Sequence, residues 1–287
     1  MPAYVELENL TETGRNGVEY AYRDTGGDGV PLVLFQHFRG NLDSWDPALI
    51  DELSAGRRVI VFDNVGVGGS SGVTPSSVAE MADGALIFLD ALGVRIVDVL
   101  GFSLGSFVAQ EIAITRPDAV RRLILASAAP EGAPGMHGWA SEVIRAIGEP
   151  ETDPMGYVGV FFAQSETSIA AAQAAAGRIF GPRANPDAPT TWDTRLAQYD
   201  AVCAWGVPDM AKLQRPTTIK SPVFVANGDS DPMILPRYSH LLAGLIPDAR
   251  LKIYPDSAHG FLWQHHEEFA ADVRMFLDTT DKGPGHG

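Results

Sequence analysis

Apolar residues recur along this chain in two alternating rhythms. Pro31 to Gln36, Arg58 to Phe62, Ile96 to Gly101, Arg122 to Ala126 and Val223 to Ala226 are short, almost continuous apolar runs, and they predict strands buried on both faces. Between them, Asp43 to Ser54, Ser76 to Leu92, Leu104 to Thr115 and Pro236 to Leu245 place apolar residues every three or four positions, the spacing of a helix with one packed face. A last strand is expected over Leu251 to Tyr254 and a closing helix over His265 to Leu277. Strand and helix in alternation predict an α/β fold, with a mostly parallel central sheet covered on both faces. At the start of the chain, Tyr4 to Leu7 and Glu19 to Arg23 read as an antiparallel hairpin on the sheet edge.

The strand rhythm lapses between Pro130 and Pro222 for longer than an ordinary connection allows. Helical patterns over Trp139 to Ile147, Thr167 to Phe180 and Thr191 to Trp205, broken by proline and glycine, predict an inserted helical lid over the carboxyl edge of the sheet. The expected organisation is a core of residues 1–130 and 221–280, a lid of residues 131–220, and a flexible, polar, glycine-rich tail of residues 281–287. The alanine-rich run Ile169 to Gly177 reads as an ordinary packed helix rather than a binding element.

Composition narrows the classes of function. A formal net charge of −15 over 287 residues would repel phosphate backbones and anionic membranes, so no nucleic acid and no membrane partner is expected. Cys203 is the only cysteine, which excludes an intrachain disulfide and a cysteine metal cage. The first residues lack the basic and apolar regions of a signal peptide, and no apolar stretch reaches membrane-spanning length, so a cytoplasmic location is expected. Neither a metal nor a cofactor is implied, and the oligomeric state is not legible.

The candidate chemistry centres on Gly101-Phe102-Ser103-Leu104-Gly105, a Gly-x-Ser-x-Gly placed between a buried strand and a helix. A serine on so sharp a turn needs small neighbours, which Gly101 and Gly105 supply, and it would sit at a helix N-terminus with the Leu104 amide turned toward an anion. Serine needs a base to become a nucleophile. His259, in the loop Tyr254-Pro255-Asp256-Ser257-Ala258-His259-Gly260 after the last predicted strand, is the candidate; His137, His240, His265 and His266 lie in the lid or in helical, solvated patterns. A carboxylate should orient that imidazole, and Asn227-Gly228-Asp229-Ser230-Asp231-Pro232 offers Asp231, the preferred choice, and Asp229, with Glu131 a remote third.

With strand, elbow, acid loop and histidine loop in this order, the chain resembles the α/β-hydrolase superfamily over nearly its whole length, in its esterase and cofactor-free haloperoxidase-like branch. Phe62 to Ser71 resembles that superfamily's Asp-x-x-Gly-x-Gly-x-Ser loop, which makes Asp63 a structural residue; a dinucleotide fingerprint fails there because Ser71 stands at the third glycine position. The resemblance also implies an oxyanion hole built from the Leu104 amide and one amide of the loop Gln36-His37-Phe38-Arg39-Gly40. The family's usual His-Gly is absent here. Alignment on Gly40 and Trp45 makes Phe38 the donor and is preferred; alignment on His37 makes it Arg39.

These residues imply a serine hydrolase acting on a small-molecule carboxylic ester or lactone through an acyl-enzyme, with an apolar or aromatic substrate held by Trp139, Tyr157, Phe161, Phe162 and Trp263. The first four could equally be lid core, while Trp263, one helical turn beyond His259, could flank the imidazole but is expected rather to pack the last helix. Alternatives with the same three residues are carbon-carbon bond hydrolysis and perhydrolysis, and an alternative of another class is a ligand-binding or sensor protein that kept the fold without turnover.

Overall fold

The structure, a computed structural model, describes residues 2–150 and 154–279. Eight strands form one sheet: β1 Leu10–Thr13, β2 Glu19–Asp24, β3 Leu32–Phe35, β4 Val59–Phe62, β5 Val97–Phe102, β6 Val120–Ala126, β7 Val223–Gly228 and β8 Ala249–Tyr254. Their spatial order is β1-β2-β4-β3-β5-β6-β7-β8. β1 and β2 pair antiparallel with each other, β2 pairs antiparallel with β4, and every pairing from β4 through β8 is parallel. Every residue of β3, β4, β5 and β7 is buried, which explains why these strands are unbroken apolar runs, whereas the edge strands β1 and β8 are mostly exposed or half-buried.

The helices are α1 Pro47–Ser54, α2 Val78–Ala91, α3 Leu104–Thr115, α4 Ser141–Val143, α5 Pro154–Phe161, α6 Glu166–Ile179, α7 Trp192–Trp205, α8 Met210–Leu213, α9 Pro236–Leu245, α10 Phe261–Gln264 and α11 His266–Asp278. Their starts follow from side-chain caps: the oxygens of Asp46, Ser77, Ser165 and Thr191 accept amide hydrogens of the first turns of α1, α2, α6 and α7. The insertion between β6 and β7 carries α4 to α8. It is helical as expected, but the Trp139 to Ile147 segment forms only the single turn α4 followed by a π-helix over Ile144–Gly148, and α5 was not foreseen. Two glycines and two valines within α5 hide its helical character from propensity.

Tyr4 to Leu7 is not a strand. Tyr4–Glu6 forms a 3-10 turn, and the partner of β2 is Leu10–Thr13. The period is three rather than two: Tyr4 and Leu7 are both buried, and the Tyr4 hydroxyl donates to the Leu42 carbonyl at 2.6 Å. The expected tail, 281–287, lies outside the described residues.

Ion pairs tie the insertion to the core. Arg178 of α6 grips buried Asp46, the cap of α1, with both carboxylate oxygens engaged at 2.6 to 3.0 Å. Arg23 of β2 reaches the Asp43 carboxylate and the Asn185 carbonyl, each at 2.7 Å. A third tie joins two acids. A Cβ on Gly68 would lie 2.2 Å from Asp63 Oδ2 and 2.6 Å from Asp187 Oδ2, so a glycine at φ 51° is needed where the two carboxyl groups meet. Asp63 is buried beside the Asp187 carboxylate and hydrogen-bonded to it, and burial first, then that neighbouring charge, hold its pKa well above the usual carboxylate range.

A carboxyl that keeps its proton better when folded contributes stability that is complete below the ordinary carboxylate range and is lost as pH rises through the raised value. Thermal melts should therefore show Tm of the wild type declining from about pH 4 upward through that interval. Asp63→Asn keeps an acceptor for the Gly69 amide, bonded at 3.0 Å, and offers Asp187 a permanent donor, so it should flatten the decline. An unaltered slope in the variant would exclude the acid pair as its source.

Candidate active site

The turn after β5 is built to expose one oxygen. Gly101 and Gly105 have no room for a side chain: a Cβ on Gly101 would sit 2.5 Å from the Gly105 carbonyl oxygen, and one on Gly105 would sit 2.1 Å from the Phe35 carbonyl oxygen. Strand β5, helix α3 and the loop after β3 are thus pressed together around Ser103. Ser103 adopts φ 55° and ψ −120°, a strained conformation for a residue with a side chain, and its amide donates to the Ala126 carbonyl at 2.9 Å. It stands at the N-cap of α3 but makes no capping bond with its side chain, unlike Ser77, Ser165 and Thr191 at the starts of α2, α6 and α7. Its oxygen is directed elsewhere.

That oxygen meets His259. Ser103 Oγ lies 2.9 Å from His259 Nε2, and His259 Nδ1 lies 2.8 Å from Asp231 Oδ2. All three side chains are buried. Asp231 Oδ1 accepts from the Met233 and Ile234 amides at 2.8 and 2.9 Å, which hold the carboxylate in place. Because a carboxylate can only accept, His259 carries its hydrogen on Nδ1, leaving the Nε2 lone pair facing the serine hydroxyl. The three residues follow β5, β7 and β8, so all emerge at the carboxyl ends of parallel strands. The insertion also secures the histidine: the carbonyls of Val160 and Phe161, at the end of α5, accept the His259 and Gly260 amides at 3.3 and 2.7 Å.

Asp229 does not reach the imidazole. It braces the histidine loop instead, accepting the Asp256 amide at 2.9 Å and the Ser257 amide at 3.3 Å. Burial would raise its pKa, but hydrogen bonds from Ser230 and from those amides outweigh this and hold it below the usual value. Glu131 is paired with Arg215 at 2.5 Å and with Lys212 at 2.9 Å. In the loop after β3, the Arg39 amide donates to Gln198 Oε1 of α7 at 2.7 Å, while the Phe38 and Leu104 amides have no acceptor among the described residues.

Ser103 and His259 line a cavity of about 560 Å³ whose wall is mostly apolar. Tyr157, Phe161, Phe162 and Trp263 lie on its lining, with the Phe161 and Trp263 rings stacked 4.8 Å apart. Trp139 does not: its ring packs edge-on against Phe38 at 5.0 Å and against Tyr199 at 5.2 Å, behind the cavity wall. Met233, just after Asp231, and Ala172, Ala175 and Ala176 of α6 were not anticipated in the wall. The alanine-rich helix is both packed and cavity-lining; the three- and four-residue spacing of its alanines was the available signal. Among the described residues no cluster of three or more histidine, cysteine, aspartate or glutamate side chains could hold a metal ion, and no helix is long and apolar enough to cross a membrane.

Residues 30–266 match the sequence model of the alpha/beta hydrolase fold. The chain is 39% identical to a solved alpha/beta hydrolase fold protein from Chitinophaga pinensis, covering 97% of this chain and 100% of that one with a TM-score of 0.91. It is 30% identical to a poly(3-hydroxyalkanoate) depolymerase from Ectopseudomonas oleovorans, over 95% of this chain and 91% of the relative. A non-heme chloroperoxidase from Streptomyces lividans is 28% identical over 94% of this chain and 99% of its own length. By sequence, by fold and by the strand ends at which its buried serine, histidine and aspartate meet, the chain belongs to the α/β-hydrolase family.

Proposed function

We propose that this chain is a serine hydrolase that cleaves a small carboxylic ester or lactone through an acyl-enzyme. The observation that carries the reading is the continuous hydrogen-bonded path from Asp231 through His259 to Ser103, opening on an apolar cavity. In the first step Ser103 Oγ bonds to the carbonyl carbon while His259 Nε2 takes the hydroxyl proton. The resulting imidazolium donates through Nδ1 to Asp231, which stabilises its charge at a buried position. As the tetrahedral intermediate collapses, the bond to the alkoxy oxygen breaks and His259 returns the proton to it. Water then attacks the acyl-enzyme by the same path in reverse roles, releasing the acid and free Ser103.

The developing oxyanion is held by the Phe38 and Leu104 amides. The Gly105 contact with Phe35 presses the loop carrying Phe38 against the start of α3, and both amides are free of protein acceptors among the described residues, whereas Arg39's is engaged by Gln198. Residues 131–220 serve as a lid, with α5 and α6 supplying much of the cavity wall. An apolar wall favours an apolar or aromatic acyl or alcohol group over a sugar or a highly charged substrate. The relative named as a depolymerase of poly(3-hydroxyalkanoate) acts on an ester polymer, which agrees with ester chemistry here. A lone Cys203 and the acidic surface suit the reducing cytoplasm, where we place the protein.

A fluorophosphonate probe tests the reading together with p-nitrophenyl esters of graded acyl length. Stoichiometric labelling at Ser103 and turnover with an optimum chain length are expected. A protein that neither labels nor turns over any ester would be a binding module on a hydrolase fold.

A further inference from the structure

One arginine stands on the wall of the cavity that holds Ser103. Among the described residues that wall has no aspartate, glutamate or lysine, and Arg39 is its single arginine. Both backbone polar groups of Arg39 are taken by the insertion, the amide by Gln198 Oε1 at 2.7 Å and the carbonyl by the Thr190 hydroxyl at 2.8 Å, so what the residue offers the cavity is its side chain. That side chain is anchored at one corner. Nη1 donates to the Ile147 and Glu149 carbonyls at 3.1 and 2.8 Å, and Ile147 is itself part of the wall. Nε and Nη2 donate to nothing among the described residues. Arg39 is half-buried, and these two nitrogens keep accessible surface, whereas Nε of Arg195 is sealed.

No carboxylate pairs with this guanidinium among the described residues, although the chain carries 36 acidic residues against 21 basic ones. Arg23, Arg58 and Arg178, likewise buried or half-buried, each have an aspartate. The charge that acts on Arg39 is another cation, Arg195 of α7, whose guanidinium lies over the Tyr199 and Trp192 rings at 4.8 and 4.9 Å. Burial first, and that second guanidinium next, hold the pKa of Arg39 below the usual arginine range. A partly desolvated cation, fixed in place and left without a counterion, calls for an anion from the ligand. Its free Nε–Nη2 edge presents two N–H groups in the fork that matches the two oxygens of a carboxylate. A phosphate dianion would leave one charge uncompensated, because Arg195 does not reach the wall. We infer that Arg39 binds a carboxylate of the substrate, so that the favoured substrates are esters or lactones bearing one free carboxylate at the end of an otherwise apolar chain. The inference rests on the ester-hydrolase reading and adds the substrate class to it. The apolar part of the wall, Phe161, Phe162 and the alanines of α6 among it, takes the chain between ester and carboxylate.

The test compares the monomethyl esters of succinic, glutaric and adipic acids with the methyl esters of the linear monocarboxylic acids of equal carbon number, and 3-butyryloxypropanoate with butyl butyrate, following proton release. For the wild type, kcat/KM for at least one anionic ester should exceed that for its neutral counterpart by about tenfold or more, chiefly through KM. Arg39→Met removes the guanidinium and keeps an unbranched chain, and it should bring that ratio down by about tenfold or more. The ratio is internal to each preparation, so a partly unfolded variant still reports it, and a residue that only ties the loop to the insertion would lower both rates together. Salt gives a reading on the wild type alone. Raising the ionic strength from about 0.02 M to about 0.5 M should lower the ratio, whereas the net charge of −15 acting by itself would make it rise. Anionic esters no better than neutral ones, a ratio unmoved in Arg39→Met, or a rise with salt would overturn the inference. If the wild type turns over none of these esters, the ester-hydrolase reading fails, and calorimetric binding of the same compounds to Ser103→Ala decides the subsite separately. Tighter binding of an anionic ester that is lost in Ser103→Ala/Arg39→Met supports it, and equal binding of anionic and neutral esters overturns it.

Discussion

Ser103→Ala is expected to lower kcat for p-nitrophenyl esters by about four to six orders of magnitude while leaving the thermal melt close to that of the wild type. The size follows from the loss of the proposed acyl-enzyme path: without Oγ, His259 Nε2 has no hydroxyl to activate, and only binding and the proposed oxyanion stabilisation would remain. The fold should tolerate the change because the serine side chain makes no capping bond to α3, and the strained turn is held by Gly101, Gly105 and the Ala126 carbonyl rather than by the hydroxyl. Initial rates at equal enzyme concentration check it. A variant that retains more than about a hundredth of wild-type turnover would remove Ser103 from the reaction and direct the search to another nucleophile.

Asp231→Asn should cost about ten-thousandfold in kcat, whereas Asp229→Asn should cost far less and act mainly on stability. The two acids stand two residues apart on one loop, yet their bonds differ in kind. Asp231 Oδ1 is held by the Met233 and Ile234 amides, and its other oxygen receives the His259 hydrogen. An asparagine there would present its N–H₂ or its carbonyl to Nδ1, and in the first case the imidazole adopts the tautomer that points a hydrogen, not a lone pair, at Ser103. Asp229 bonds to the Asp256 and Ser257 amides, so its loss slackens the histidine loop without inverting the tautomer. Parallel kcat and melting measurements on both variants separate the roles. Equal losses of kcat in the two, with equal losses of Tm, would mean that Asp231 acts on loop stability alone.

What could be read along the chain was whatever a local pattern encodes. The five inner strands β3 to β7, the main core helices and the Gly-x-Ser-x-Gly turn were legible because burial on both faces of a strand, one-sided burial of a helix and the crowding at Gly101 and Gly105 each act on residues within a few positions of one another. The same local reading misled where periods coincide: Tyr4 to Leu7 passes for a strand until its two buried residues are seen to be three apart, and α5 is obscured by its own glycines and valines.

The sequence by itself determined the fold class, the serine with its two glycines, and the order in which serine, acid and histidine leave the strands. Tertiary structure alone decided which of two neighbouring acids touches His259, which amide of the loop after β3 is left free, that Trp139 packs behind the wall that Ala172, Ala175 and Ala176 help to form, and that His37 meets Trp263. Arg39 and Gln198 are 159 positions apart, and His37 and Trp263 lie on opposite ends of the chain. Contacts of that span depend on how α5, α6 and α7 settle on the sheet, a matter of long-range packing and of ion pairs such as Arg178 with Asp46, and no short-range periodicity carries it.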